Sequence, residues 1–314
     1  MKKTLSILVI ILVVCAIIGG CVGSYFYFTD DSRINISGEA SGDAPVISNE
    51  ALWSGENFPK VDGSTATQPL IDAFMSNFTG IPVEDLINDY TKTHQAYVKL
   101  INDEVDLIIV TQPSEEELAL AKQKGVELEV IPVVNEAFVF LANVQNEVDN
   151  LTVEDIQNIY SGKVTNWSEV GGSDSEIIPY QRPTNSGSQT GMLELVMQGI
   201  EMIEPVKETF EETMAGLITA IADYDNSKDA LGYSYYYYAT TMYSKENVKL
   251  MSINGVEPKF DTIQKGEYPI GTNYYIVINA AEPEESNTRQ LVEAMLSTRG
   301  QVVAKDAGYV PIAK

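Results

Sequence analysis

Ala137-Phe-Val-Phe-Leu-Ala142 is apolar at every position. A strand points successive side chains to opposite faces, so such a run belongs in a parallel or mixed sheet covered on both sides. Val105-Asp-Leu-Ile-Ile-Val110 and Val126–Val134 read as further strands. Helix signals lie between and beyond them. Ser114-Glu-Glu-Glu117 is a capping box that opens a helix over Glu115–Lys124, and Gly125 closes it. Thr152 caps a helix running to Tyr160, and Ser286–Leu296 is the last long helix. Strands alternating with helices predict an α/β fold.

Two strand-to-helix turns stand out. Ile177–Tyr180 reads as a strand, and Gly191–Met202 has apolar residues at helical spacing. Gln181-Arg-Pro-Thr-Asn-Ser-Gly-Ser-Gln-Thr190 joins them. A helix start presents free N–H groups and the positive end of its dipole. Ser186 and Ser188 add hydroxyls, Gly187 allows close backbone approach, and Arg182 offers a guanidinium fork. The stretch suits an oxyanion without a cofactor. Its plainer reading is a Ser/Thr cap beside a surface arginine. Phe58–Asp62 followed by Gly63-Ser-Thr-Ala-Thr-Gln-Pro-Leu70 repeats the arrangement before a helix starting at Leu70. Val206–Tyr224 reads as a Glu-rich helix. The five tyrosines of Ala230–Ala239 read as a buried core face rather than a cleft lining, and Trp167 reads as a packing residue.

Charge and residue usage narrow the function. The 314 residues carry 20 Lys+Arg against 45 Asp+Glu, a net charge of −25. Such a body does not attract nucleic acid through its general field, so any anion must be held by local dipoles and cations. His94 is the only histidine, and Cys15 and Cys21 are the only cysteines. The body therefore has no zinc-ligand cluster, no disulfide and no marked catalytic base. Neither a phosphate-cradling P-loop nor a dinucleotide fingerprint is present.

Residues 1–20 read as a signal. Lys2 and Lys3 precede the apolar run Leu5–Ile18, and Ile18-Gly-Gly-Cys21 places small residues before a cysteine. That order resembles a bacterial lipoprotein signal, cleaved before Cys21 and lipidated on its thiol. An uncleaved signal anchor is the other reading, since the run nearly reaches the ~20 residues that span a bilayer. Residues 21–49, rich in Gly and Ser, read as a tether.

From Val61 onward the chain resembles the periplasmic-binding-protein fold of the phosphate ABC-transporter receptor type. The resemblance rests on Asp62-Gly-Ser-Thr-Ala66, Asp106–Ser114, Leu151–Trp167, Arg182…Ser186-Gly-Ser188, Leu231-Gly-Tyr-Ser234, Gly266-Glu-Tyr-Pro269 and Gly308-Tyr-Val-Pro311. It implies a type II fold of two lobes, 50–140 with 271–314 and 141–270, that cross near Leu141 and Gly271. It also implies a non-enzymatic, monomeric receptor, held on the extracytoplasmic face of the cell membrane by a lipid at Cys21. Such a receptor binds inorganic phosphate or a related oxyanion and passes it to an ABC permease and ATPase, with no cofactor. The implied ligand residues are Ser64, Thr65, Thr93, Thr111, Arg182, Ser186, Gly187 and Ser188, with Ala66 contributing its N–H. Thr111 stands where the family often has an aspartate that accepts the proton of hydrogen phosphate, and Glu136 is the candidate to replace it. A sensor or surface binding lipoprotein not coupled to uptake, and an extracellular phosphatase, are the alternatives.

The lipidation reading predicts that Cys21→Ala blocks processing and leaves a larger species, seen as an upward shift in intact mass. An unchanged mass, with detergent releasing both forms alike, selects the signal anchor.

Overall fold

The structure, a computed structural model, describes residues 50–86, 89–205, 210–223 and 227–312. The expected signal, Cys21 and the tether lie outside these residues, as do 206–209 and 224 of the expected Glu-rich helix. Ten strands occur among the described residues: β1 Val61–Gly63, β2 Leu107–Val110, β3 Leu128–Asn143, β4 Asn150–Leu151, β5 Ile178–Pro179, β6 Ala230–Tyr235, β7 Val248–Leu250, β8 Ser252–Ile253, β9 Gly271–Asn279 and β10 Val310–Pro311.

Eight of them form one mixed sheet in the order β1-β2-β9-β3-β6-β5, with β10 and β7 also paired to β3. β1–β2 and β5–β6 are parallel, and the other pairs are antiparallel. β4 and β8 make a separate parallel pair.

The two-sided burial expected of the apolar strands is present. Along β2, Leu107 and Ile109 join a large core with Leu70, Phe74 and Phe78. Ile108 and Val110 enter a smaller core with Ala96, Tyr97, Leu100 and Ala121. Period-two alternation thus feeds two cores from one strand. Each fully buried Leu, Ile or Phe contributes about 1.5–3 kcal/mol by leaving water. In β3, Phe138 and Phe140 pack with Tyr233 at 5.4 and 6.3 Å between ring centroids. The Trp167 side chain is buried and donates to Asp229 O at 3.0 Å, the packing role expected of it.

Several boundaries differ from the sequence pattern. The two strands expected at Val126–Val134 and Ala137–Ala142 are one, β3. Asn135 and Glu136 interrupt the apolar pattern, but their backbones pair with Asn273 and Thr272 of β9. Ladder hydrogen bonds do not depend on side-chain polarity, so the strand continues. Its register shifts between Pro132 and Val134, where proline lacks a ladder N–H. The helix expected from Gly191 begins at Gly187, because Ser186 caps it by accepting from Gln189 N at 3.2 Å. It continues as wider, π-type turns from Met192 to Met197 and ends at Gln198 in the left-handed region. Among the described residues of the Glu-rich segment the helix begins at Met214, since Phe210 bridges to Gln181 and Thr213 supplies a cap to Gly216 N at 2.9 Å. A further helix, Thr298–Asp306, follows the one ending at Leu296, with Ser297 accepting from Gly300 N at 3.1 Å.

One carboxylate ties β1 to the segment before the Thr93–Ile101 helix. Asp62 is 2% exposed. Its Oδ1 accepts from Gly63 N at 2.7 Å and Thr91 N at 2.8 Å. Its Oδ2 accepts from Thr91 Oγ1 at 2.7 Å and pairs with Lys99 Nζ at 2.9 Å. Burial pushes this carboxyl up, but Lys99, Thr91 and Gly63 together hold it below its ordinary value of 3.8. Stability from such a group is present above that value and is lost as pH falls through the depressed one. Asp62→Asn is expected to cost about 1–3 kcal/mol at pH 7, because its amide presents N–H to donors. In thermal melts from pH 7 to pH 3, the gap between variant and wild type should narrow at the acid end.

Candidate functional site

The ends of β1 and β2 deliver the first half of the site. Ser64–Thr67 leaves β1 as a tight turn. Ser64 N donates to Thr67 Oγ1 at 3.0 Å, and Thr67 Oγ1 donates to Ile109 O at 2.5 Å. The second bond clips the turn onto β2. Gly63 is required at the turn, because a Cβ there would lie 2.5 Å from Ile71 Cδ1 and 2.7 Å from Ile109 O. Thr111 follows β2 directly, and Thr93 opens its helix; both side chains are buried.

The second half comes from the segment after β5. Arg182 is 9% exposed. Its backbone N donates to Tyr233 Oη at 3.0 Å and Gln189 Oε1 at 3.2 Å. Tyr233 Oη also donates to Gln189 Oε1, so the loop is locked onto β6. The guanidinium donates through Nη2 to Glu212 O at 3.2 Å, while Nε and Nη1 have no partner among the described residues. Thr111 Oγ1 is likewise buried without one. Burial works against the Arg182 charge, and Tyr233, Tyr238 and Glu211 favour it. Buried unpartnered donors cost about 1–3 kcal/mol each or more, so their persistence points to a ligand that accepts from them.

The two halves meet at Gly187. A Cβ on Gly187 would lie 2.6 Å from Thr111 Oγ1 and 2.8 Å from Thr93 Oγ1. Only a glycine lets this backbone come so near the opposing hydroxyls. All eight residues expected to hold an anion, Ser64, Thr65, Thr93, Thr111, Arg182, Ser186, Gly187 and Ser188, line one cavity of about 450 Å³, as does Ala66.

The wall also contains residues that motif reading passed over. Lys92 brings a second cationic residue to it, and Pro183, Asn185, Glu212, Thr213, Met214, Tyr235 and Tyr238 complete the lining. Lys92 stands next to Thr93, so its place was readable from a helix start. Glu212 and Thr213 gave no signal, because they reach the cavity through the fold of a segment expected to be helical. The tyrosine run divides. Tyr233 and Tyr237 serve the core as expected, whereas Tyr235 and Tyr238 face both core and cavity. Glu136, the candidate substitute acid, does not line the cavity; it is buried where β3 meets β9. His94 is also outside the lining and places Nδ1 3.1 Å from Glu117 Oε1. Among the described residues, no group of three His, Cys, Asp or Glu side chains is placed to hold a metal ion. The cavity is thus a ring of hydroxyls around a buried guanidinium, an arrangement that binds oxygen acceptors.

Known proteins share this architecture. The chain is 25% identical over 269 residues to the phosphate-binding protein PstS of Borreliella burgdorferi, covering 82% of this chain and 91% of that protein. A crystal structure from Clostridium perfringens, described as a phosphate ABC transporter substrate-binding protein with bound phosphate, superposes with a TM-score of 0.65 at 20% identity, covering 82% of this chain and 100% of that one. An ABC-type phosphate transport receptor from Vibrio cholerae gives 0.61 at 19% identity, over 81% and 99% of the two chains. The family model for the PBP superfamily domain matches residues 60–297, and with the mixed α/β fold this places the chain in the PBP superfamily.

Proposed function

We propose that this chain is the extracytoplasmic receptor of an ABC transporter, binding inorganic phosphate in the cavity around Arg182. The observation that carries the reading is the pair of unpartnered guanidinium N–H groups facing a wall of hydroxyls. A phosphate oxygen is the acceptor such groups require. The relatives described as phosphate-binding proteins support the choice of ligand.

In this reading the sheet forms two lobes. β1, β2, β9, β10 and the first part of β3 belong to one; β5, β6, β7 and the rest of β3 belong to the other. We place one crossing between Ala137 and Phe138, where β3 exchanges β9 for β6 as partner, and the other at Gly271, where β9 begins. The ligand accepts from Ser64, Thr65, Thr93 and Thr111 on one lobe and from Arg182, Ser186, Gly187 and Ser188 on the other. Those contacts are complete only when the lobes meet, so binding shifts a hinge equilibrium toward closure. Lys92 and Arg182 supply the local positive charge that the acidic body lacks. The receptor is a monomer held to the membrane by a lipid on Cys21, and it hands phosphate to a permease driven by an ATPase. No chemical step is involved.

Arg182→Ala tests the site. A hydrogen bond to a charged group is worth about 1.5–3 kcal/mol, so calorimetry should show phosphate affinity at least ~10-fold weaker. The melting temperature of the free protein should change little, since the variant also removes a buried charge. Lost stability with intact affinity would make Arg182 structural.

Thr111 sets selectivity. Hydrogen phosphate carries a proton near pH 7 and sulfate carries none. A threonine hydroxyl donates or accepts, so it tolerates both anions. A carboxylate would face sulfate as acceptor against acceptor, at a cost of several kcal/mol. Competition calorimetry at pH 7 should find sulfate competing measurably in the wild type. Thr111→Asp should weaken sulfate at least ~10-fold more than phosphate. Strong sulfate rejection by the wild type would overturn this account of selectivity.

A further inference from the structure

Glu136 is 2% exposed and lies at the point where β3 changes partner. Its carboxyl accepts from Ala137 N at 2.8 Å and from Tyr237 N at 3.3 Å. These bonds pin the segment leaving β6 onto β3. Around the carboxyl stands a cluster of phenols: Tyr235, Tyr236 and Tyr237 after and within β6, Tyr274 on β9, and Tyr309 before β10. None of these facing groups is a cation.

The cluster reaches both halves of the site. Tyr237 stacks on Tyr309 with centroids 3.6 Å apart, and Tyr309 Oη donates to Ala66 O at 2.7 Å. Tyr235 lies 5.6 Å from Tyr274 and donates through Oη to Gly187 O at 2.9 Å. Ala66, in the turn after β1, and Gly187, in the segment after β5, both line the cavity. Glu136 therefore sits behind the wall, against the two phenols that hold the two anion loops.

We propose that Glu136 is a positioning residue that couples the two site loops and makes anion affinity depend on pH. The inference rests on the anion reading of the cavity. Burial lifts the carboxyl from its ordinary 4.5 to about 8, so it is mostly protonated at pH 7. Once ionised, it is a buried charge with no cation among the described residues that face it, and it must be reached by water or by opening of the crossover. Opening unstacks Tyr237 from Tyr309 and frees the Ala66 carbonyl, which misplaces Ser64 and Thr65. A bound anion in turn opposes the second negative charge, so ligand and proton favour each other by the same factor. For folding, the sign is that of a raised acid: its contribution is complete below 4.5 and is lost as pH rises through about 8.

The test is calorimetry of inorganic phosphate binding at pH 7 and pH 9.5, on wild type and Glu136→Gln. The glutamine keeps an acceptor for Ala137 N and cannot ionise. Phosphate's own titration is common to both proteins and cancels in the comparison. Wild-type affinity should fall about tenfold more than that of Glu136→Gln, the effect of one pKa unit of coupling. Melting temperatures should show the variant gaining on the wild type as pH rises from 5 to 9. Parallel affinity profiles would overturn the proposal while leaving the anion site intact. A wild type that binds no phosphate at either pH would overturn both. If Glu136→Gln does not fold, Tyr309→Phe decides. Loss of its hydroxyl should shrink the pH effect on affinity at least twofold, and an unchanged effect would overturn the proposal.

Discussion

One strand holds the molecule together. β3 pairs with β9 from Leu128 to Ala137 and with β6 from Phe138 to Ala142, and β10 and β7 also attach to it. Every route through the sheet from the first site loops to Arg182 passes along it. Continuity matters because a strand transmits geometry stiffly along its ladder yet bends cheaply where its partners change. The site loops extend from strands on either side of that change.

Charge placement is the second constraint. A chain with net charge −25 is a poor host for an anion unless the local field is reversed. Reversal is local here because Arg182 is buried, where Coulombic attraction is little screened. Desolvating a guanidinium is costly, and the Glu212 carbonyl offsets only part of that cost. Among the described residues, two of its donors have no protein partner. Buried donors left in this way suit an oxygen acceptor.

The loops on either side are held by backbone acceptors rather than by side-chain ion pairs. Thr67 binds Ile109 O, Tyr309 binds Ala66 O and Tyr235 binds Gly187 O. Each of these bonds fixes where a loop's N–H and hydroxyl donors point without consuming them. Asp62 does the same for the approach to Thr93 through Thr91. The donor set is preorganised, so less ordering entropy is lost when the anion arrives.

How much of this was legible in the chain depends on the range of each signal. Short-range chemistry was readable. Ser114 and Thr152 cap the helices assigned to them, and Gly125 closes one in the left-handed region at φ 72°. That the eight residues expected in the site line one cavity was readable because the turn motifs around them carry hydroxyls, glycine and arginine in close order. β3 was misread as two strands, because polarity at Asn135 and Glu136 is a side-chain signal and pairing is a backbone one. The short helix starting at Gly187 was set by a cap, which periodicity does not register. Tyr235 and Tyr238 became cavity residues only when segments distant in sequence came together. The sequence by itself determined the α/β class, the acidic body and the hydroxyl-rich turns, since these follow from local composition and from spacing along one strand or helix. The tertiary structure alone decided that Gly187 meets Thr93 and Thr111, that Arg182 has two donors without a partner among the described residues, and that Glu136 stands outside the cavity wall. Those facts depend on which faces pack together, and no local pattern encodes that.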